Sequence, residues 1–413
     1  MGHVATDAQA GVGMGALIAW MAIAFFRGVS SGAQSLVAAA HGAKDPVRIR
    51  HAADAGLWIG AVAGVVSALF VAAVVLPVLD TLVGNPGVAA AARDYLEVRL
   101  FAMPFSIAGF GVLCILQGLG DSHAGMRVNV IGNLLNGVLD VVFIFGVGTI
   151  PAMGARGAAL ATVVSSSVML VLFLWNYRRV VGPIGWPRWP TMRRSLSVGV
   201  PAGIQGFSEI VAFVAMSAAL ARVGAAHLAA SEIVLNIASL SFLPGYGISE
   251  AGGVLVGRYL GAGQPEVAAR ALYSARMLAV SIMAVFSVVF IVFGQTLVSW
   301  FTTDSEVIAI SAELMVFAAA FQVFDAAAMA HVCGLRGAGE TRFTLMAASV
   351  TAWGITVPAA LILGLWWGWG ATGAWIGMTF EVVALALISG YRIRGLKSGR
   401  VGRMELLLGN SNG

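Results

Sequence analysis

SLVAAAHGAKDPV at 35–47 reads again as VLVGRYLGAGQPE at 254–266, and LQGLGDSH at 116–123 reads again as LRGAGETR at 335–342. Both pairs are 219 residues apart (254 − 35 and 335 − 116). A third pair, GARGA at 154–158 and GATGA at 370–374, follows at an offset three residues shorter. The chain is therefore an internal duplication that runs through nearly all of its 413 residues. Repeats on this scale in a hydrophobic chain are the mark of transporters built from two related halves.

Composition decides the solvent. Hydrophobic residues make up 59% and charged residues 10% of the chain, and mean hydropathy is +0.90. That apolar surface cannot be hidden inside a water-soluble core, so lipid is the expected surrounding. The pattern predicts an all-α polytopic membrane protein with spans near 11–40, 53–79, 95–120, 126–148, 157–177, 195–221, 229–260, 268–299, 308–335, 342–366 and 370–391. A transmembrane barrel would alternate apolar and polar residues over ~10-residue segments, and that alternation is absent. Pro104, Pro201, Pro244 and Pro358 are expected to kink their helices, because proline removes a helical hydrogen bond and crowds the preceding turn. Gly28 with Gly32, Gly56 with Gly60, and Gly199 with Gly203 have the small-xxx-small spacing that lets helix backbones approach.

The pI of about 9.6 does not point to nucleic acid, since the basic residues sit in short loops. Nineteen of the 24 Lys and Arg fall in the loops after spans one, three, five, seven and nine and in the C-terminal tail. Only Arg27, Arg93, Arg99, Arg156 and Arg222 lie within spans or on the other side. The positive-inside rule then places the C-terminus in the cytoplasm, the N-terminus of the chain outside, and the protein in the cytoplasmic (inner) membrane. Segment 178–194, RRVVGPIGWPRWPTMRR, separates the halves. The expected organisation is an N-terminal lobe over 1–180, a linker over 181–194, a C-terminal lobe over 195–394 and a tail over 395–413. Carried backward, the 219 shift sets Val4 on Val223, so the N-terminal lobe has five spans of six and lacks the counterpart of span 195–221. Restoring it would give two six-helix lobes in parallel repeat; an upstream start and a natural truncation both account for its absence.

Enzyme chemistry finds no foothold. Cys114 and Cys333 are the only cysteines and lie inside spans, and no nucleophile, metal or nucleotide constellation is present. No cofactor is expected. Buried charge is the informative feature, because an ionisable group in lipid costs at least ~2.5–3.5 kcal/mol on insertion scales. Glu209, in GVPAGIQGFSEIVAF, stands ~20 Å from either end of its span at the helical rise per residue. Asp325, in FQVFDAAAMAHVCGLRG, lies ~16 Å from Arg336 on a span of the same lobe. Two acids sharing a site of low dielectric repel, so they take up a proton or jointly hold a monovalent cation such as Na⁺. The alternative is a structural acid hydrogen-bonded to Ser208 or Gln205.

Weaker positions fill out a polar network or substrate cavity. Gln205, Asn236 and Glu250 are polar groups of the C-terminal lobe. Asp140, near Asn133 and Asn136, is expected to form an inter-helix clamp. Phe207 and Met216 suit a greasy cavity for flat organic cations. Arg27 is free to snorkel, line the cavity or pair with an acid. Asp54, Glu232 and Glu381 lie near span ends or lack an obvious partner, and His331 and His3 are lone histidines of the kind that are usually structural.

These residues resemble the multidrug and toxic compound extrusion (MATE) family. The resemblance rests on GVSSGAQSLVAAAHGA, QGLGDSHAGMRVNVIGNLLNGVLDVVFIFG, GARGAALAT, GVPAGIQGFSEI, LVGRYLGAG, FQVFDAAAMAHVCGLRGAGETR and GATGAWIG, long and in order. It implies two six-helix bundles in a V that open alternately to either side, and export of organic cations and drugs in exchange for Na⁺ or H⁺. It also implies that Glu209 and Asp325 are the acidic pair that the NorM-type branch uses for cation coupling. The family commonly carries a further acid in its first helix, which this chain lacks. Two other readings stay open: an exporter of lipid-linked or polar metabolites, and a truncated membrane protein without transport activity.

Overall fold

The computed structural model describes residues 6–148, 150–399 and 401–402. His3 and the end of the expected tail, 403–413, lie outside the described residues. Ten helices there are long and apolar enough to cross a membrane, eleven if one bent helix pair is counted as a single span. No β-strand occurs among the described residues. We label the helices α1 (Thr6–Gly42), α2 (Pro46–Thr81), α3 (Pro86–Arg99), α4 (Ala102–Gly118), α5 (Ser122–Phe145), α6 (Gly154–Val180), α7 (Trp189–Val223), α8 (Ala225–Gly261), α9 (Pro265–Ser299), α10 (Ser305–Gly337), α11 (Thr341–Trp366) and α12 (Gly370–Ile393).

The duplication is visible atom by atom where helices end. Asp45 N–H donates to Ala40 O at 3.2 Å, and Gln264 N–H to Tyr259 O at 2.8 Å. Asp121 N–H donates to Leu116 O and Glu340 N–H to Leu335 O, each at 2.9 Å. All four are the six-residue helix stop in which one residue turns left-handed. That residue is Lys44 (φ 54°) in one repeat and Gly263 (φ 71°) in the other, and Gly120 (φ 85°) against Gly339 (φ 80°). Starts are equally local. Asp45, Asn85, Asp121 and Asp304 accept hydrogen bonds from the first backbone N–H groups of α2, α3, α5 and α10, which would otherwise lack partners.

Proline and wide turns bend the spans. Pro201 and Pro244 sit inside α7 and α8. The third expected span, 95–120, is instead the pair α3 and α4, bent by 54° just before Pro104 and starting at Pro86. Pro358 lies between two π-helical stretches, Ala352–Thr356 and Ala360–Trp366. A third, Val71–Val75, precedes Pro77 and was not expected. A π turn absorbs one extra residue and so accommodates a ring that cannot join the regular ladder.

The described chain divides into two compact units: residues up to His41 with Asp45–Gly203, and Gly42–Lys44 with the residues from Ile204 onward. The division falls inside α7, whereas the sequence suggested the linker 181–194; the loop itself spans only 181–188. Close packing explains the difference. A Cβ on Gly203 would lie 2.6 Å from Phe25 O, and one on Gly199 would lie 2.0 Å from Val29 O. Gly28 and Gly32 meet Gly203 and Gly199 from the α1 side at equally short range. Two of the expected small-xxx-small pairs thus face each other and bind the first half of α7 to the N-terminal unit.

The N-terminal unit has a core of Val71, Leu79, Tyr95, Leu96, Met103, Ile144 and Ala159. The C-terminal unit closes around Leu220, Val234, Ile237, Phe290, Leu314, Met315 and Trp375. Large apolar side chains such as Leu134, Val138, Leu240, Val285, Val288 and Leu387 point outward, as lipid-facing residues do.

Candidate functional site

Glu209, Asp325 and Glu381 bring three acidic side chains of the C-terminal unit within electrostatic reach of one another, from α7, α10 and α12. Glu209 Oε1 accepts a hydrogen bond from Gln205 Nε2 at 2.9 Å, one turn earlier on α7. Gln205 is 1% exposed, and its Oε1 has no hydrogen-bond partner. Asp325 Oδ2 is likewise buried without one. Glu381 Oε2 accepts from Thr356 Oγ1 at 3.1 Å. The three acids do not converge on a point: among the described residues no His, Cys, Asp and Glu set is placed to hold a metal ion together. Buried carboxylate oxygens without donors are costly unless a proton or cation joins them. The arrangement is suited to binding and releasing a small cation.

Of the expected positions, Gln205 and Glu209 are hydrogen-bonded to each other, and Asp325 lies within electrostatic reach of Glu209. Ser208, offered as a structural partner of Glu209, instead accepts hydrogen bonds from Ser349 Oγ (3.2 Å) and Trp353 Nε1 (3.0 Å), tying α7 to α11. Glu250 Oε2 is 3.9 Å from Cys333 Sγ, and Arg336 lies within electrostatic reach of both Glu250 and Glu209. Phe207 is exposed. Asn236 is exposed and donates to Glu232 O at 2.8 Å, a local helical contact.

Several expectations need correction. Met216, expected at a substrate cavity, is 1% exposed within the core around Leu220 and Val234. Asn136 Nδ2, expected near a clamp with Asp140, is buried without a hydrogen-bond partner. Arg27 stacks on the Phe110 ring at 4.2 Å, a cation–π contact with α4. His331, by contrast, expected to be structural, is held by Ala386 O at 3.1 Å and Arg276 Nη1 at 3.3 Å. Asp54 is a structural hub: its Oδ1 accepts from the Tyr177 hydroxyl at 2.6 Å and from Gly185 N–H at 2.9 Å. Glu381 was placed with the acids lacking a partner. Nothing near it in the sequence points to Thr356 or Asp325, though the GARGA/GATGA pair does locate its helix in the repeat.

A duplicated bundle of ten or eleven apolar helices among the described residues, with acids along the helices of one half, has the architecture of a secondary transporter. The protein-family model described as MatE matches residues 1–142 and 201–362, one match in each repeat. The "Probable multidrug resistance protein NorM" of Thermotoga maritima is 30% identical over 392 residues, which cover 93% of this chain and 84% of that protein. The "Multidrug resistance protein NorM" of Burkholderia vietnamiensis is 29% identical over 407 residues, covering 95% and 87%. Among solved structures, one described as "Outward-facing conformation of a multidrug resistance MATE family transporter of the MOP superfamily" superposes with a TM-score of 0.87 at 23% identity, covering 94% of this chain and 88% of that one. A MOP superfamily transporter from Pyrococcus furiosus reaches 0.87 at 22% identity, covering 95% and 89%. The chain belongs to the MATE family. It is a multi-pass membrane transporter and not an enzyme.

Proposed function

We propose that this chain exports drugs and other organic cations from the cell in exchange for a monovalent cation, H⁺ or Na⁺, carried by Glu209 and Asp325. The observation that carries the reading is Asp325 Oδ2, buried in the C-terminal unit with no donor, beside the Glu209–Gln205 pair. An isolated carboxylate is unstable in such a place, so Asp325 cycles between a cation-loaded and an empty form. Exchange requires the ion and the drug to prefer different conformations; binding both equally well would move nothing. The family relationship and the relatives named as multidrug resistance proteins support drugs as the cargo. The positive-inside pattern supports a cytoplasmic-membrane location with the C-terminus inside.

The test is ethidium accumulation in efflux-deficient cells carrying the chain, Glu209→Gln or Asp325→Asn at matched membrane levels. Both variants are expected to accumulate dye like cells with empty vector. Full export by either removes the coupling role. Reconstituted vesicles given a proton or a sodium gradient separately then identify the ion.

A further inference from the structure

We infer that Glu381 is a second ion-carrying acid, so that the C-terminal unit loads two monovalent cation charges per cycle: one at Glu209 and Asp325, the other at the Asp325–Glu381 junction. The inference rests on the coupling role proposed above for Glu209 and Asp325.

The repeat supplies the first observation. The 219 offset maps Asp325 onto Ser106, and the 216 offset of the GARGA/GATGA pair (370 − 154) maps Glu381 onto Ser165. In the N-terminal unit this junction between α4 and α6 closes on itself. Ser106 Oγ donates to Ser166 Oγ at 3.0 Å, and Ser165 Oγ donates to Thr162 O at 3.2 Å. Two hydroxyls satisfy each other because each both donates and accepts. By the same offset Ser166 corresponds to Val382 (166 + 216), one place after Glu381. The equivalent crossing of α10 and α12 in the C-terminal unit therefore sets Asp325 against the Glu381–Val382 turn, where acids stand in place of Ser106 and Ser165. Ionised carboxylates only accept, so this junction closes only when a proton or another cation enters it.

Unmet hydrogen-bonding capacity is the second observation. Asp325 Oδ2 has no donor, and Gln205, 1% exposed and already donating to Glu209, keeps an unpartnered Oε1. The third is the π-helical stretch Ala352–Thr356 of α11. Its extra residue rotates the rest of α11 by about one helical position, and Thr356, the last residue of the stretch, reaches Glu381 Oε2. Glu209, Glu250 and Arg336 are the other charged groups around the cluster. Arg336 is the one cation among them, and the acids outnumber it. Among the described residues no three His, Cys, Asp or Glu side chains are placed to share a metal ion, and the charges are accordingly assigned to separate monovalent cations.

The test counts cations on the purified full-length chain in detergent. Radioactive sodium binding and protons taken up in a pH-stat titration are summed for the wild-type chain, Glu381→Gln, and the pair Glu209→Gln/Asp325→Asn. Interacting acids titrate as a set, so the sum rather than any single step is read. The expected sum falls from about two for the wild type to about one for Glu381→Gln. The Hill coefficient for the driving ion, which cannot exceed the number of sites, falls with it. An unchanged sum in Glu381→Gln, with a lowered sum in the paired variant, overturns this inference and leaves the coupling role intact. An unchanged sum in the paired variant overturns both. Should Glu381→Gln not fold, the unmodified protein serves. Dicyclohexylcarbodiimide, which attacks protonated carboxyls in apolar surroundings, is expected to label Glu381 at acid pH and to be excluded by alkali or sodium. Absence of that label overturns the inference.

Discussion

Asp54 fastens the loop between the repeats, and removing its carboxylate should let that loop go. The Tyr177 hydroxyl and Gly185 N–H both donate to Oδ1, from 123 and 131 residues away. Asp54 is 3% exposed, and hydrogen bonds to a charged group are worth ~1.5–3 kcal/mol each. Asp54→Ala loses both and leaves the buried Tyr177 hydroxyl unpaired. Part of the loss is recovered because Gly185 N–H finds water once the loop lifts. Arg50 to Pro183 O (3.1 Å), Trp58 Nε1 to Gly185 O (3.0 Å) and the stacked Trp58–Trp186 rings (5.4 Å) hold the loop in every variant. The net change in loop opening is therefore ~3 kcal/mol, about a hundredfold in the open population. Arg188, exposed in the loop, is a trypsin site. When opening is fast relative to cleavage, the nicking rate follows the open population. Trypsin treatment of purified protein, followed by mass spectrometry of the cut at Arg188, should show ~10²-fold faster cleavage for Asp54→Ala. Asp54→Asn, which keeps an acceptor at Oδ1, should fall in between. Cleavage of Asp54→Ala within about twofold of wild type would refute the reasoning, because the remaining contacts would then be holding the loop alone.

Packing sets the other expected outcomes. Gly199→Leu places a Cβ 2.0 Å from Val29 O where ordinary contact begins at 3.4 Å, so α1 and α7 must separate; thermal unfolding in detergent should show a clear loss of stability or no folded protein. Met216→Ala should cost ~2–5 kcal/mol as a core truncation while leaving the relative order of exported dyes unchanged; a changed order would put Met216 back at the substrate. Trp375→Phe removes the 3.1 Å hydrogen bond to Ser231 Oγ and leaves a buried hydroxyl unpaired, for ~1–3 kcal/mol of stability, read as a lower denaturation midpoint. Cys333→Ser should leave transport unchanged, since the Glu250 contact at 3.9 Å is one that a hydroxyl can also make.

Much of what local chemistry and lipid govern was legible in the order of residues alone. A span must satisfy its own backbone hydrogen bonds, so each long apolar run is a helix. Gly-Asp, Asp-Pro and Gln-Pro turns stop and restart helices within a few residues, which is why the repeat read at 35–47 and 254–266 returns as matching left-handed turns. Glu209 and Asp325 stood out because any acid in lipid demands a reason. Which helix faces meet was settled by the packed bundle and by nothing short of it. Glu381 meets Thr356 because α12 packs on α10 and a π turn in α11 brings that hydroxyl to it. Asp54 finds Tyr177, 123 residues away along the chain. Met216 turns into the core instead of toward a ligand. Facing glycines move the boundary between units into α7. The physical reason is that hydropathy and turn chemistry act over a few neighbouring residues, whereas the direction of a side chain across a bundle depends on crossing angles and backbone separations set by residues a hundred or more positions away.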